Sequence, residues 1–229
     1  MRGIDPSRIR AICFDIDGTL ADTDDQAVLF AGRMLSHPLK LLAPHHDSAV
    51  LARRLVMVVE GPINFAIDLA DSLMLDEVVR PALEMFDRWR RGGSGTAPAL
   101  IPGVETLVVS LAQRYALAIV TTRGDERTRR FLRDSRLDRF FEAVITARST
   151  RRTKPHAEPV LRAAAVLGVP VEACLIVGDT TVDIRSGHAA GAQTVGVLCG
   201  FGERQELERA GADSILTTTA DLASLLSQP

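Results

Sequence analysis

The sequence is sparing with cysteine: three in 229 residues, Cys13, Cys174 and Cys199. All three sit in apolar runs, and no two stand at metal-ligand spacing. They read as small buried hydrophobes of a reducing compartment rather than as a disulfide or zinc framework. Long hydrophobic runs are missing too. None approaches the ~18–20 residues of a membrane span, and the opening MRGIDPSRIR lacks the apolar core of a signal peptide. A cytoplasmic protein with no membrane partner is expected. Nor does either sign of charge dominate. With 27 Lys and Arg against 29 Asp and Glu, the formal net charge is −2, which gives no electrostatic reason to expect nucleic acid. There is no internal repeat. The one Gly-rich stretch, GGSG at 92–95, is followed by no Gly-Lys-Ser/Thr and preceded by no strand, so it is not a phosphate loop.

What is present is a balanced globular composition, 46% hydrophobic and 24% charged, in a chain long enough to bury a core without metal or disulfide staples. Short apolar runs recur: AICF (11–14), ALAIV (116–120), AVIT (143–146), CLIV (174–177) and TVGVL (194–198). Helical patterns separate all but the first two, at 125–134, 156–168 and 180–191. Such alternation, with strands apolar throughout, predicts a parallel sheet covered on both faces, a Rossmann-like α/β core. The pattern stops from about residue 21 to 100. There DQAVLFAGRML, SAVLARRLVMVV, INFAIDLADSLML and EVVRPALEMFDRW suggest four helices, and RRGGSGTAPALIPG (90–103) reads as a return linker. The expected organisation is a core of 1–20 with 101–229 and an inserted all-helical cap at 21–100. TTTADLASLLSQP reads as a capped final helix.

The residues just after the strands are unusual. Asp15 and Asp17 follow the first. Thr121 and Thr122 end the second, with Arg123 and Gly124 beyond. Lys154 follows the third, and GDTTVD, with Asp179 and Asp183, follows the fourth. Ligands of open parallel sheets bind at the carboxyl ends of the strands, so four segments deliver acids, a hydroxyl and an amine to one edge. In an extended strand, residues two apart share a face, so Asp15 and Asp17 can address one object. Gly18 then permits a sharp turn. Asp179 and Asp183, four apart, share a helix face if that turn is helical. Crowded carboxylates repel and raise one another's pKa, which a hard cation with oxygen ligands relieves; this suggests Mg²⁺. A cation beside Lys154, with Thr121 as donor, suits phosphate. Other features read as structural: Asp22 and Thr23 as caps of a following helix, His45 and His46 in a loop, Phe86 and Trp89 as packing, His188 on its own helix, and GFG (200–202) as a segment near the site entrance.

The motifs DIDGTLADT, IVTT, TKP and GDTTVD together resemble, in order and spacing, the four motifs of the haloacid dehalogenase superfamily of phosphohydrolases. GVLCGFGERQELERAGADSIL is similar to its phosphoglycolate phosphatase branch, as are the position and length of the insertion. The resemblance implies a phosphatase that acts on a small phosphorylated metabolite, as a monomer or homodimer. Asp15 would be the nucleophile and Asp17 the acid and base. Asp15, the Asp17 backbone carbonyl and Asp179 would hold Mg²⁺, with Asp183 acting through water or behind them. Thr121 and Lys154 would bind the transferring group, with Gly18, Thr122 and Arg123 beside the substrate. Family members often carry Asn where this chain has Thr122, so contacts there depart from the family pattern. A dehalogenase is disfavoured by the second acid, Asp17, and a signalling receiver domain by the insertion. A phosphosugar mutase of the β-phosphoglucomutase type, a pyrophosphatase and a non-catalytic phosphate- or Mg²⁺-binding protein remain alternatives.

Overall fold

The computed structural model describes residues 3–22 and 98–227. The chain divides into two units, Met1–Thr23 with Pro98–Pro229 and Asp24–Ala97. Every described residue belongs to the first. The helical cap expected at 21–100, with His45, His46, Phe86 and Trp89, lies outside the described residues but for its two ends, as does any helix that Asp22 and Thr23 would cap.

Six strands form one parallel sheet: β1 (Ala11–Phe14), β2 (Ala116–Val120), β3 (Ala143–Ile145), β4 (Cys174–Gly178), β5 (Gln193–Val197) and β6 (Ser214–Leu216). Their order is β3-β2-β1-β4-β5-β6. The helices are α1 (Val104–Leu111), α2 (Asp125–Asp134), α3 (Glu158–Leu167), α4 (Thr181–Ala190), α5 (Arg204–Ala210) and α6 (Leu222–Leu226). Alternate strand residues feed two cores, which is why the strands are apolar throughout. Ile12, Phe14, Leu117, Ile119, Leu175 and Val177 pack with α1, α2 and α6 on one face. Ala11, Cys13, Ala118, Val120 and Ile176 pack with α3 on the other. Small residues there, such as Ala163 and Ala164, let α3 approach the sheet closely. None of the described helices is long and apolar enough to cross a membrane.

Three elements escaped the sequence reading, among them helix α5, which follows β5 as RQELERA with only Leu207 buried. β6 is three half-buried residues at the sheet edge, too short for a period-2 signal. Helix α1 lies just past the return linker of 90–103 in a stretch assigned no element, although its buried Val104, Leu107, Val108 and Leu111 keep helical spacing.

The chain leaves and re-enters the core side by side. Ala21 bridges Leu100 in antiparallel fashion, and Asp22 N donates to Ala99 O at 2.8 Å while Ile101 N donates to Leu20 O at 3.0 Å. Chain order reverses between β1 and β4, which are neighbours in the sheet. At such a switch point, outside the carboxyl ends of the strands, open parallel sheets bind their ligands.

Candidate active site

Asp15 stands directly beyond β1, and its N–H continues the ladder to Val177 O at 3.0 Å. The chain then turns tightly. Leu20 N and Ala21 N both donate to Ile16 O, and Gly18 sits at φ 69°, a left-handed conformation that glycine adopts freely. A Cβ on Gly18 would overlap the Asp179 carboxylate, so this glycine serves both the turn and the close approach of β1 to β4.

Asp179, fully buried, follows β4. Its Oδ2 accepts the Phe201 N–H at 2.8 Å, and its Oδ1 accepts from Thr19 Oγ1 at 3.3 Å. Helix α4 begins only at Thr181, with Thr180 as N-cap. Asp179 therefore precedes the helix and does not share a face of it with Asp183, as a helical turn would have required. Asp183 is the third residue of α4 and closes a capping box: its Oδ2 accepts from Thr180 N at 3.0 Å and Thr180 Oγ1 at 2.6 Å. Its remaining oxygen, Oδ1, accepts from Lys154 Nζ at 2.6 Å. Gly178 leaves room for this carboxylate, since a Cβ there would overlap it.

Lys154 comes from the loop after β3 and precedes a cis peptide to Pro155. That loop is tied to α4 by Ser186 Oγ, which donates to His156 O at 2.6 Å. Lys154 Nζ also lies 3.0 Å from Asp15 Oδ1. Yet that oxygen is buried and accepts no well-aligned hydrogen bond among the described residues.

Oxygen atoms of Asp15, Asp179 and Asp183 lie within 4.8 Å of one another. Opposite ligands of an octahedral ion at about 2.1 Å are roughly 4.2 Å apart, so the span is right for Mg²⁺ after small adjustment. The electrostatics agree. Burial pushes the Asp15 carboxyl up to about 6; Lys154 opposes the rise, while Asp183 and Asp17 add to it. Burial and then the charges of Asp183 and Asp15 push Asp179 well above the usual carboxylate range, against the Phe201 N–H. For Lys154, burial works against the charge, but Asp15 and Asp183 outweigh it and hold the amine above its ordinary value. Lys154 thus pairs with two of three close acids, Asp15 and Asp183. The excess of buried negative charge over that one lysine among the described residues fits a divalent cation.

The side chain of Asp17 lies apart from this cluster, in a buried ion pair. Arg123 Nε donates to its Oδ2 at 2.6 Å, and Arg123 Nη2 to its Oδ1. The guanidinium also lies over the Phe131 ring, 5.3 Å from the centroid. Thr121, buried, accepts the Arg123 N–H at its Oγ1, 3.2 Å away. Thr122 is half-buried in the bend that follows β2.

The sequence reading missed the supports of Asp179. Cβ atoms on Gly200 or Gly202 would overlap the Asp179 side chain or its carbonyl oxygen. GFG thus packs directly on Asp179, with Phe201 supplying an N–H. Thr219 Oγ1 donates to Thr19 O at 2.6 Å and fastens the hydroxyl-bearing turn. Two glycines flanking one residue after an apolar strand were the available signal. His188, exposed, reaches beyond its helix to Gly211 O.

Comparison with known proteins agrees with this arrangement. Residues 12–197 match the family model described as haloacid dehalogenase-like hydrolase. A protein of Anoxybacillus flavithermus named pyrophosphatase PpaX is 30% identical over 222 residues, 95% of this chain and 97% of its own. One of Photorhabdus laumondii named phosphoglycolate phosphatase is 28% identical, over 96% and 94% of the two chains. The crystal structure of a hydrolase from Pseudomonas syringae superposes with a TM-score of 0.67 at 25% identity, over 95% and 97%. The acids at the β1–β4 switch point thus belong to an enzyme, and this chain is a member of the haloacid dehalogenase-like hydrolase family.

Proposed function

We propose that the protein is a Mg²⁺-dependent phosphatase that hydrolyses a small phosphomonoester, phosphoglycolate-like, through an aspartyl-phosphate on Asp15. The observation that carries this reading is the convergence at the β1–β4 switch point: oxygen atoms of Asp15, Asp179 and Asp183 lie within 4.8 Å of one another, and Lys154 Nζ stands 3.0 Å from Asp15 Oδ1. A carboxylate beside a cation and a candidate metal site is what aspartyl-phosphate chemistry requires.

Asp15, Asp179 and the Asp17 backbone carbonyl would hold the ion, with Asp183 behind them, its oxygens already engaged by Lys154 and Thr180. Bound there, Mg²⁺ supplies positive charge to the phosphoryl oxygens and offsets the repulsion among the acids. Asp15 attacks phosphorus and the leaving oxygen departs. Lys154 neutralises charge on Asp15 and the transferring group. Thr121, whose Oγ1 accepts from Arg123 N, can still donate its hydroxyl proton to a phosphoryl oxygen. Asp17 gives a proton to the leaving group, then takes one from the water that cleaves the acyl phosphate. Gly18, Thr122 and Arg123 lie along the approach of the substrate. Residues 21–100 would form the helical cap that covers the substrate and excludes bulk water. The free thiols fit the reducing cytoplasm.

Pyrophosphate is the second reading, favoured by the 30%-identical relative named for that activity. The test is phosphate release from small phosphorylated compounds with Mg²⁺ and with chelator, for wild type and Asp15→Asn, together with acid-quench trapping of phosphoprotein. Release that needs Mg²⁺ and Asp15 is expected, with label trapped on Asp15. Turnover by Asp15→Asn at the wild-type rate refutes the mechanism.

A further inference from the structure

The pair of Asp17 and Arg123 fits poorly with a carboxyl that must serve a leaving group unaided. Both Asp17 oxygens accept from one guanidinium fork. The fork is held from behind by the Phe131 ring. Its backbone is fixed at both polar groups: Arg123 N donates to Thr121 Oγ1, and Arg123 O accepts from Ala147 N at 3.2 Å. Side-chain exposure is 5% for Arg123 and 11% for Asp17. Such a fork takes a carboxylate or a phosphate equally well in geometry. Breaking the pair without replacing Asp17 would leave a buried cation uncompensated.

We infer that Arg123 is a specificity-determining residue: a leaving group with its own carboxylate or phosphate takes over the guanidinium fork and thereby releases Asp17 to the scissile oxygen. This rests on the phosphatase reading above. In the transfer itself, the bond from Asp15 Oδ to phosphorus forms as the bond from phosphorus to the leaving oxygen breaks. The electron pair stays on that oxygen. The Asp17 carboxylate, its charge uncompensated once the fork turns to the leaving group, takes a proton from water and passes it to that oxygen. A plain alkyl phosphate offers Arg123 nothing in exchange, so Asp17 stays clamped and turnover is slow. Glycolate and inorganic phosphate, as leaving groups, each carry the needed oxygens.

The test uses the full chain with Mg²⁺ and three substrates. 2-Phosphoglycolate and ethyl phosphate share the scissile bond and differ by a carboxylate against a methyl group; pyrophosphate tells a phosphate from a carboxylate leaving group. Wild type is expected to favour at least one anionic-leaving substrate over ethyl phosphate by more than about tenfold in kcat/KM, as one charge-assisted contact allows. Arg123→Met should reduce that ratio about tenfold or more. Arg123→Lys, which keeps the charge without the fork, should hold an intermediate ratio and serves if the methionine variant does not fold. A wild-type ratio near one, or a ratio unmoved in a folded variant, overturns the inference while Asp15-dependent release leaves the phosphatase reading standing. Absence of Asp15-dependent release from all three substrates overturns both.

Discussion

Lys154 Nζ donates to Asp183 Oδ1 at 2.6 Å and at the same time stands 3.0 Å from Asp15 Oδ1. One amine therefore bridges the strand β1 acid to the helix α4 acid, with side-chain exposure of only 3%. Substituting Lys154→Met removes the cation that, among the described residues, touches both acids, while most of the aliphatic stem is kept. Uncompensated buried charge should cost the metal-free protein about 3 kcal/mol, and loss of a cation at the phosphoryl group should slow phosphate release by about 10²-fold or more. Urea unfolding in chelator and steady-state assays with Mg²⁺ measure the two separately. A variant of unchanged stability would show that the acids shed their charge instead of needing the lysine.

Divalent ion should stabilise the fold through the same acids. Asp15, Asp179 and Asp183 come within 4.8 Å in their ligand atoms, and their mutual repulsion is relieved by any cation they hold. At a hundredfold excess over Kd, Mg²⁺ should add about 2.7 kcal/mol, which raises Tm by several degrees. Asp179→Asn, which keeps the shape and drops a charge, should lose most of the shift. Calorimetry with and without Mg²⁺ checks this, and an equal shift in the variant would place the ion elsewhere.

The pH dependence of the metal-free protein follows from Asp15. Its folded-state value is raised to about 6 by burial, above the ordinary value of about 3.9 for an unfolded chain. Between those values the folded form binds more protons than the unfolded one, so stability falls as pH rises from about 4 to 6. Above that window the cost is complete. Asp179 is shifted in the same direction and adds to the trend. Lys154 is raised too, but from an ordinary value far above this window, so its contribution is kept throughout. Chemical unfolding in chelator at pH 5 and pH 7.5 should find the protein more stable at pH 5, with a smaller difference in Asp15→Asn. The same pH difference in both proteins would show that another group sets it.

Legibility in the sequence followed the physical reach of each signal. Strands buried on both faces announce themselves as unbroken apolar runs, so β1 and β2 emerged with the bounds the structure gives them. Asp15 and Asp179 were legible because acids at the ends of such runs need a reason, whereas Lys154, in a loop beyond its strand, was legible only through the resemblance of TKP to a family motif. Legible in kind but not in partner was Arg123: the text places it beside Thr121, but only the fold shows its fork on Asp17, 106 positions away. The support of Asp179 by Gly18, Gly200 and Gly202 left only a faint trace, the G-x-G after β5. A glycine needed for close approach looks, in one sequence, like any loop glycine.

These glycines make a discriminating experiment. A Cβ on Gly200 would overlap the Asp179 carboxylate and the Gly18 carbonyl, so Gly200→Ala must displace one of them. The acid has the freer atoms, and its displacement opens the ligand cluster. Gly191, the C-cap of α4, differs in kind: it has φ 88° with nothing within 4 Å of a Cβ, so alanine there costs only backbone strain, about 1–2 kcal/mol. Gly200→Ala is therefore expected to lose Mg²⁺-induced stabilisation and most phosphate release while it still unfolds cooperatively. Gly191→Ala should lose stability and keep both. Isothermal titration with Mg²⁺ beside urea unfolding tells them apart. Full Mg²⁺ affinity in Gly200→Ala would mean that Asp179 does not need its glycine cradle to reach the ion.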